Sequence, residues 1–254
     1  HLTLPAFSPC VRHPVLLFIV AMARITYSDR ADFHAMIRML IEGGSLKKIC
    51  EIGGGANPLL KQEYISARGL DYTILDISEE ELEKASTGCR KLVADITDRE
   101  LNPSPQFDLV FSRMLAEHVS DAETFHGNVR ALLVQGGLAC HFFPTLYALP
   151  FVINLLLPER LTGHILHLLS PRNRHKHGKF PAFYRWCYGP LPQQIRRLEG
   201  LKYEVIEYKG FFGHEGYYRR LPGIRNIHVT VTKALLKRPN PYLTSYAYVI
   251  MKKI

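Results

Sequence analysis

The residues with the clearest chemical pattern are a run of three glycines and two later aspartates. Gly53–Gly55 follow the apolar stretch 49–52, which has the length and composition of a buried strand. Glycines at a strand-to-helix turn let a ligand approach the main chain closely. Asp76 and Asp95 end later apolar stretches, where a carboxylate can accept ribose hydroxyls or reach an adenine amino group. The sequence therefore predicts a ligand crevice where these stretches end.

The glycine run alone leaves other interpretations open. The glycines could make tight turns in an α/β domain that binds no ligand there. A dinucleotide site needs a third glycine for close packing of helix on strand, and Pro58 occupies that place. The sequence does not match a Walker A loop, because no GKS or GKT follows the glycines.

Alternating strands and helices between residues 29 and 143 would position these groups. The predicted strands span 47–52, 72–75, 91–94, 107–111 and 138–143. The predicted helices begin at Asp29, at Asn57–Pro58, at Glu79 and at the capping box Ser120–Glu123, and the last ends at Gly136–Gly137. This alternation indicates a parallel sheet with helices on both faces. A helix at 191–198 and strands at 202–208 and 244–251 are predicted beyond a long aperiodic stretch.

The chain resembles the class I S-adenosylmethionine-dependent methyltransferases over residues 29–143. The residues that carry the resemblance are Glu51-x-Gly53-x-Gly55, Asp76, Asp95, the stretch 107–112 and Glu117-His118-Val119. It is greatest to the small-molecule subgroup with a Glu-His pair after the fourth strand. The resemblance implies a Rossmann-like α/β fold with a doubly wound, seven-stranded, mostly parallel sheet and a substrate-recognition insertion. It also implies S-adenosyl-L-methionine as the cofactor.

The resemblance assigns the cofactor site residue by residue. Asp76 would hold the ribose hydroxyls, Ile77 would pack on the adenine, and Asp95 and Ile96 would bound that ring. The residues assigned to the methionine end are Glu51, Gly53, Gly55, Asn57, Ser112 and Arg113. Asn57 replaces a glycine of the family, so the contact to the cofactor's carboxylate could differ. No metal site is indicated.

Methyl transfer to a hydroxyl also needs a group that takes up its proton, and histidine is the usual base near neutral pH. His118 follows Glu117 in a segment that the family places near the mouth of the active site. His141 lies within the predicted fifth strand, where it could be simply packed. We expect His118 or His141 to be the base, with His175 and His177 as further candidates.

Charge divides the chain into an acidic and a basic part. Of 32 Lys and Arg and 23 Asp and Glu, residues 1–143 hold 14 basic and 18 acidic side chains, and residues 144–254 hold 18 and 5. The insertion, 144–200, is rich in apolar, basic and aromatic residues. These suit an anionic or amphiphilic acceptor: a small molecule, a glycan or a lipid-linked compound. Nucleic acid is disfavoured, because no Asn-Pro-Pro-Tyr-like motif follows the fourth strand.

Four segments are expected: residues 1–28, either a lid or in part not native; a cofactor-binding core, 29–143; the insertion, 144–200; and C-terminal strands, 201–254. The apolar runs 15–23 and 146–158 are shorter than the roughly 20 residues that span a bilayer. We expect a cytoplasmic protein with peripheral membrane contact as an option, while the oligomeric state stays open. Five cysteines without a CxxC motif indicate buried free thiols.

The function predicted from these observations is S-adenosylmethionine-dependent methylation, at an oxygen of the acceptor. Three alternatives stay open at this point. They are an NAD-dependent oxidoreductase, a nucleic-acid methyltransferase, and a protein of the same fold that binds the cofactor without catalysis.

Overall fold

The computed structural model describes residues 24–85, 88–147, 181–218 and 220–254. The strands are β1 Ile25–Ser28, β2 Lys48–Ile52, β3 Asp71–Asp76, β4 Arg90–Val93, β5 Phe107–Arg113, β6 Leu133–Pro144, β7 Tyr203–Phe211 and β8 Tyr246–Lys253. The helices are α1 Phe33–Gly44, α2 Gln62–Arg68, α3 Glu79–Glu83, α4 Ala122–Leu132, α5 Pro192–Gly200 and α6 Pro222–Lys237. Short 3-10 turns lie at Ala116–His118, Glu215–Tyr218 and Pro241–Leu243.

Within these ranges the strands form one sheet in the order β1-β7-β8-β6-β5-β2-β3-β4. Strand β8 runs antiparallel to β6 and β7, and the other neighbouring pairs are parallel. The predicted doubly wound, mostly parallel α/β sheet is confirmed. Its strand count was wrong, because the described sheet has eight strands rather than seven. The added strand, β1, belongs to a segment assigned to the N-terminal region and pairs with β7 at the edge.

One face of the sheet is covered by α1. Phe33, Ile37 and Leu40 recur at helical spacing and lie on one side of α1, which is the side that packs on the sheet. Their cluster includes Ile49 of β2 and Phe111 of β5, both buried. The helix is thus held by its apolar face, and its other face is left to solvent.

The opposite face of the sheet is covered by α4 and α5. Phe125 and Val129 of α4 join a second buried cluster, together with Ile195 and Leu198 of α5. Strand β5 contributes to both clusters, since successive side chains of a strand point to opposite faces. This strand therefore sits at the centre of the layered fold.

Two predicted helix starts were wrong by one to three residues. The α1 cap is Asp32, whose carboxylate accepts a hydrogen bond from the Ala35 amide at 2.9 Å, rather than Asp29. The α4 cap is Asp121, which accepts from the Thr124 amide at 3.1 Å, rather than Ser120. In each case a second capping residue lies within three positions, and the sequence pattern does not choose between them.

Two glycine-rich turns also differ from the prediction. Asn57 does not cap a helix, because its amide donates to the Gly54 carbonyl at 3.0 Å and α2 begins only at Gln62. Gly136 and Gly137 do not end α4. They lie inside β6, where Gly136 has a φ of +79° beside the irregular pairing of β5 with β6. Local glycine and proline signals do not distinguish these turns from helix ends.

Helix α6 was not predicted, because its apolar residues face solvent rather than a core. Among the described residues, no helix is both long and apolar enough to cross a membrane. Four cysteines, Cys50, Cys89, Cys140 and Cys187, are buried free thiols as predicted. Cys10, His175, His177, the apolar run 15–23 and most of the run 146–158 lie outside the described residues.

The packing of α1 yields a stability prediction. Ile37→Ala should lower the free energy of unfolding by about 2–4 kcal/mol, because it leaves a cavity between α1 and the sheet. Urea unfolding followed by circular dichroism measures this loss. The matched control is Met39→Ala, on the exposed side of the same helix, which should change stability by less than about 0.5 kcal/mol. Equal losses at both positions would contradict the packing described.

Candidate functional site

The site lies where β2, β3, β4 and β5 end, at the carboxyl edge of the parallel sheet. Open α/β sheets bind ligands at this edge. The turn after β2 needs its glycines, since Gly53 and Gly55 have φ values of +74° and +43°. A Cβ on Gly53 would also lie 2.8 Å from Cδ1 of Leu115. The turn therefore presents bare main chain to the space above it.

The glycine turn is supported from below by the carboxylate of Glu51. Its two oxygens accept the Leu59 amide at 3.1 and 2.9 Å, and one of them also accepts the hydroxyl of Tyr72. Burial raises the pKa of Glu51, and the hydrogen bonds from Tyr72 and Leu59 oppose that rise. Glu51 does not line the cavity described next. Its contacts instead fix the course of the chain between Gly53 and Leu59.

A cavity of about 400 Å³ opens above this turn. It is lined by the strand ends and by the segment after β5. The lining residues that the sequence had singled out are Gly53, Asp76, Ile77, Asp95, Ile96 and His118. The cavity therefore brings together the predicted adenosine-side residues and one predicted base. Glu51, Gly55, Asn57, Ser112 and Arg113 do not line it.

The two aspartates reach the cavity in different ways. Asp76 Oδ1 accepts the Ser78 amide at 3.0 Å, and its Oδ2 lies close to the glycine turn, 3.2 Å from where a Cβ of Gly55 would be. Asp95 Oδ1 accepts both the amide and the hydroxyl of Thr97, at 2.8 and 2.7 Å. Each carboxylate is thus oriented by its own loop and retains acceptor capacity toward a ligand.

Apolar side chains complete the walls of this cavity. Ile77, 64 % exposed, stands at its rim, and Ile96 is buried behind it. A flat aromatic ring between two such side chains loses contact with water at little polar cost. Together with a strand-end carboxylate and bare main chain, these residues fit an adenosine group.

His118 lines the cavity and has a defined tautomer. Its Nδ1 lies 2.8 Å from the carbonyl oxygen of Pro181, and a carbonyl can only accept, so Nδ1 carries the proton in the neutral ring. Its Nε2 lies 3.8 Å from Oε1 of Glu117. In this tautomer Nε2 holds the lone pair that a general base needs.

Glu117 is a buried carboxyl beside that histidine. Its Oε2 has no hydrogen-bond partner in the described part of the chain, and burial raises its pKa to about 8. The main-chain carbonyl of Glu117 accepts the amides of Phe183 and Tyr184, at 2.7 and 3.0 Å. Glu117 is therefore protonated near neutral pH and joins the segment after residue 180 to the cavity wall.

His141, the other predicted base, is fully buried. Its Nδ1 lies 2.8 Å from Oγ of Ser112 on the neighbouring strand, and its ring packs against Phe125 and His126 of α4. Burial holds the pKa of His141 well below its ordinary value, and the nearby His126 lowers it further. Neither His141 nor Ser112 lines a described cavity, so the structure brings them to each other rather than to the cavity beside His118.

Two other predicted residues lie near the glycine turn but outside the cavity. Arg113, exposed at the end of β5, lowers the pKa of Glu51 through its charge. Asn57 is exposed on the turn that follows Gly55. Their predicted contacts with the methionine end of a cofactor stay predictions.

A second cavity, of about 540 Å³, adjoins the first. Met114, with a φ of +55°, lines both of them. The remaining walls are aromatic and charged, and they come from the connections after β1 and β7 and from β6 and β8. They include Arg30, Phe142, His214, Glu215, Tyr217 and Tyr246. This group was not predicted from the sequence. Its one signal was the position of 212–218 a few residues after the strand predicted at 202–208.

His214 in the second cavity is tied into a chain of hydrogen bonds. The Ser245 hydroxyl donates to the Phe212 carbonyl at 2.9 Å, so it accepts from His214 Nδ1. His214 Nε2 then accepts the Tyr218 hydroxyl at 3.0 Å. Burial and the nearby His228 lower the pKa of His214 to about 4. The ring is therefore neutral and held in one orientation.

Comparison with known proteins identifies the class of domain. Residues 50–139 match the family model described as a methyltransferase domain. No curated protein matches the sequence. Many solved structures share the fold.

Three of these structures illustrate the likeness. The first is phosphoethanolamine N-methyltransferase 2 of Haemonchus contortus with S-adenosyl-L-methionine, at 15% identity and a TM-score of 0.54 over 89% of this chain and 53% of that one. The second is an S-adenosylmethionine-dependent methyltransferase of Mesorhizobium loti, at 17% identity and a TM-score of 0.51 over 88% of this chain and 98% of that one. The third is a Haloferax volcanii methyltransferase in complex with the activator Trm112, at 13% identity and a TM-score of 0.54 over 87% of this chain and 88% of that one. The chain spans about half the length of the Haemonchus contortus enzyme.

The buried carboxyl beside His118 gives a pH prediction. The pKa of Glu117 is raised in the folded protein, so the unfolded chain releases its proton first as pH rises from about 4.5 to about 8. Wild-type stability should fall across that window by roughly 1 kcal/mol per pH unit relative to Glu117→Gln, which cannot ionise. Urea unfolding at pH 5 and pH 8 measures the difference, and parallel pH profiles would contradict a neutral buried Glu117.

Proposed function

We propose that this chain, whose residues 50–139 match a methyltransferase domain, is a class I S-adenosylmethionine-dependent methyltransferase. We further propose that it methylates an oxygen of an anionic or amphiphilic acceptor bound beside the cofactor. The observation that carries the proposal is the pair of adjoining cavities at one sheet edge. One has the walls that an adenosine needs, and the walls of the other are aromatic and charged.

The first cavity is assigned to S-adenosyl-L-methionine, which supplies a methyl group activated by a positively charged sulfur. Asp76 would accept the ribose hydroxyls, and Asp95 the adenine amino group. Ile77 and Ile96 would pack against the adenine ring. Position 53 must be glycine, because a side chain there would clash with Leu115. The glycine leaves the main chain open to the cofactor.

The second cavity is assigned to the acceptor. Arg30 and Arg225 lie with Glu215 around a smaller cavity that continues from it, and Arg30 forms an ion pair with Glu215. The two guanidiniums outnumber the one carboxylate, and the remaining positive charge suits a phosphate or carboxylate. The rings of Phe142, Tyr217 and Tyr246 suit a sugar or an apolar group beside that anion. The acceptor class proposed is therefore a small molecule, glycan or lipid-linked compound that carries an anionic group.

His118 is the proposed general base. Its Nε2 holds a lone pair in the tautomer fixed by the Pro181 carbonyl, and its ring lines the cofactor cavity. It would take the proton of an acceptor hydroxyl that reaches from the second cavity past Met114, which lines both cavities. The proton would leave as the carbon–oxygen bond forms and the bond between the methyl carbon and the sulfur breaks. His141 is not retained in this role, because its ring is enclosed between β6 and α4.

The ribose contact is tested at the end of β3. Asp76→Ala should weaken binding of S-adenosylhomocysteine by roughly tenfold to a hundredfold, because a charged acceptor of one or two hydrogen bonds is lost. Isothermal titration calorimetry measures the affinity. Asp71→Ala, at the opposite end of the same strand, is the matched control and should bind like wild type. Unchanged affinity in Asp76→Ala would remove Asp76 from the site.

The base is tested by separating turnover from cofactor affinity. His118→Ala should lower turnover by about a hundredfold or more, since general base catalysis contributes roughly that much. Its affinity for S-adenosylhomocysteine should stay within about threefold of wild type, because the ring is not assigned a polar contact to the cofactor. Full turnover in His118→Ala would exclude His118 as the base.

The acceptor is identified by labelled methyl transfer. Wild-type protein and Asp76→Ala are incubated with methyl-labelled S-adenosylmethionine and a cell extract separated into lipid, glycan, small-molecule and nucleic-acid fractions. Label should enter one of the first three with wild-type protein only, and mass spectrometry should place the methyl group on oxygen. Label confined to nucleic acid, or placed on nitrogen or carbon, would contradict the proposed acceptor chemistry.

A further inference from the structure

Helix α6 exposes apolar side chains along one face. Ile224, Ile227 and Val231 follow one another at spacings of three and four residues, so they form a stripe on one side of the helix. All three are exposed, and Ile227 reaches 67 %. A water-facing stripe of large aliphatic side chains is costly unless another surface covers it.

The helix is attached to the body of the protein by a neighbouring face. His228 Nε2 accepts the His214 amide at 3.0 Å, and the His228 ring lies 3.9 Å from that of His214 and 5.6 Å from that of Tyr218. Thr232, one turn further along, is the buried residue of α6. This packing leaves the stripe of Ile224, Ile227 and Val231 on the neighbouring side of the helix, 47%, 67% and 46% exposed.

The charges on α6 itself have one sign. From residue 221 to the end of the sequence there are six Lys and Arg and no Asp or Glu. Lys233 and Lys237 lie on the polar side of the helix, across from Ile224, and both are exposed. Arg225 and Arg238 are exposed near its two ends. A helix with an aliphatic face and a cationic polar face is suited to the boundary between lipid headgroups and acyl chains.

The same charges argue against other occupants. A second copy of α6 packed on this stripe would bring the two sets of lysines and arginines together without acidic partners from residues 221–254. Single-stranded nucleic acid would match the charge, but Ile and Val offer no aromatic face on which bases stack. An anionic bilayer meets both the apolar and the cationic requirement.

We propose that α6 binds the surface of an anionic lipid bilayer, with Ile224, Ile227 and Val231 entering the headgroup boundary and the Lys and Arg side chains of the helix attracted to lipid phosphates. The proposal does not depend on the acceptor. Membrane binding would nevertheless affect access of the acceptor, since α6 packs on the turn Glu215–Tyr218 that lines the second cavity. A bound bilayer would therefore lie beside the cavity assigned to the acceptor.

The test is co-sedimentation of the full chain with vesicles, without cofactor. Wild-type protein should bind vesicles of equal parts phosphatidylglycerol and phosphatidylcholine, and bind pure phosphatidylcholine far more weakly. Ile227→Asp should lower partitioning by roughly tenfold or more, because a charge replaces an aliphatic group that the bilayer would bury. Lys233→Ala and Lys237→Ala should each lower it by about fivefold at low salt. The matched control is Met39→Asp, which places the same charge on an exposed apolar position of α1 and should bind like wild type.

Three results would overturn the proposal. One is equal partitioning of Ile227→Asp and wild type, or no binding of wild-type protein to anionic vesicles. The second is a wild-type dimer in light scattering that Ile227→Asp dissociates while vesicle binding is absent, which would assign the stripe to a second copy. The third is binding to single-stranded RNA that Ile227→Asp leaves intact while vesicle binding is absent. Vesicle binding uses no cofactor, so its failure is separate from failure of methyl transfer.

Discussion

The hydrogen bonds of one buried carboxylate hold the turn on which the site depends. Glu51 lies at the end of β2, where its oxygens accept the Leu59 amide and the Tyr72 hydroxyl. These contacts tie the glycine turn to β3, the strand that ends in Asp76. Loss of the carboxylate would leave a buried amide and a buried hydroxyl without an acceptor, at a cost of about 1–3 kcal/mol each. The open main chain at Gly53 thus depends on a residue that does not line the cavity.

Sequence patterns predicted the parallel core well, because the positions of its strands along the chain and their burial follow from local signals. Apolar stretches ended by Gly53, Asp76 and Asp95 become neighbouring strand ends in the structure, and all three residues line one cavity. Periodicity also located the face of α1 that packs on the sheet. Local signals of this kind suffice where each element buries its own apolar face.

The features that were not predicted from the sequence depend on contacts between distant segments of the chain. The cavity beside His214 joins segments near residues 30, 114, 142, 215 and 246, and no local pattern predicts that they meet. Helix α6 escaped prediction because its apolar residues face away from the core. His141 was predicted as a base because histidine is the usual base near neutral pH. Only the tertiary structure shows that Ser112 and α4 enclose its ring.

The central claim, that the cavity above Gly53 takes S-adenosylmethionine, is tested most directly by ligand-dependent thermal stability. S-adenosylhomocysteine at a hundredfold excess over its Kd should stabilise the wild-type chain by about 2.7 kcal/mol, seen as a rise in Tm. NAD at the same concentration should leave Tm unchanged, because Pro58 occupies the place of the third dinucleotide glycine. A rise in Tm with NAD and none with S-adenosylhomocysteine would contradict it.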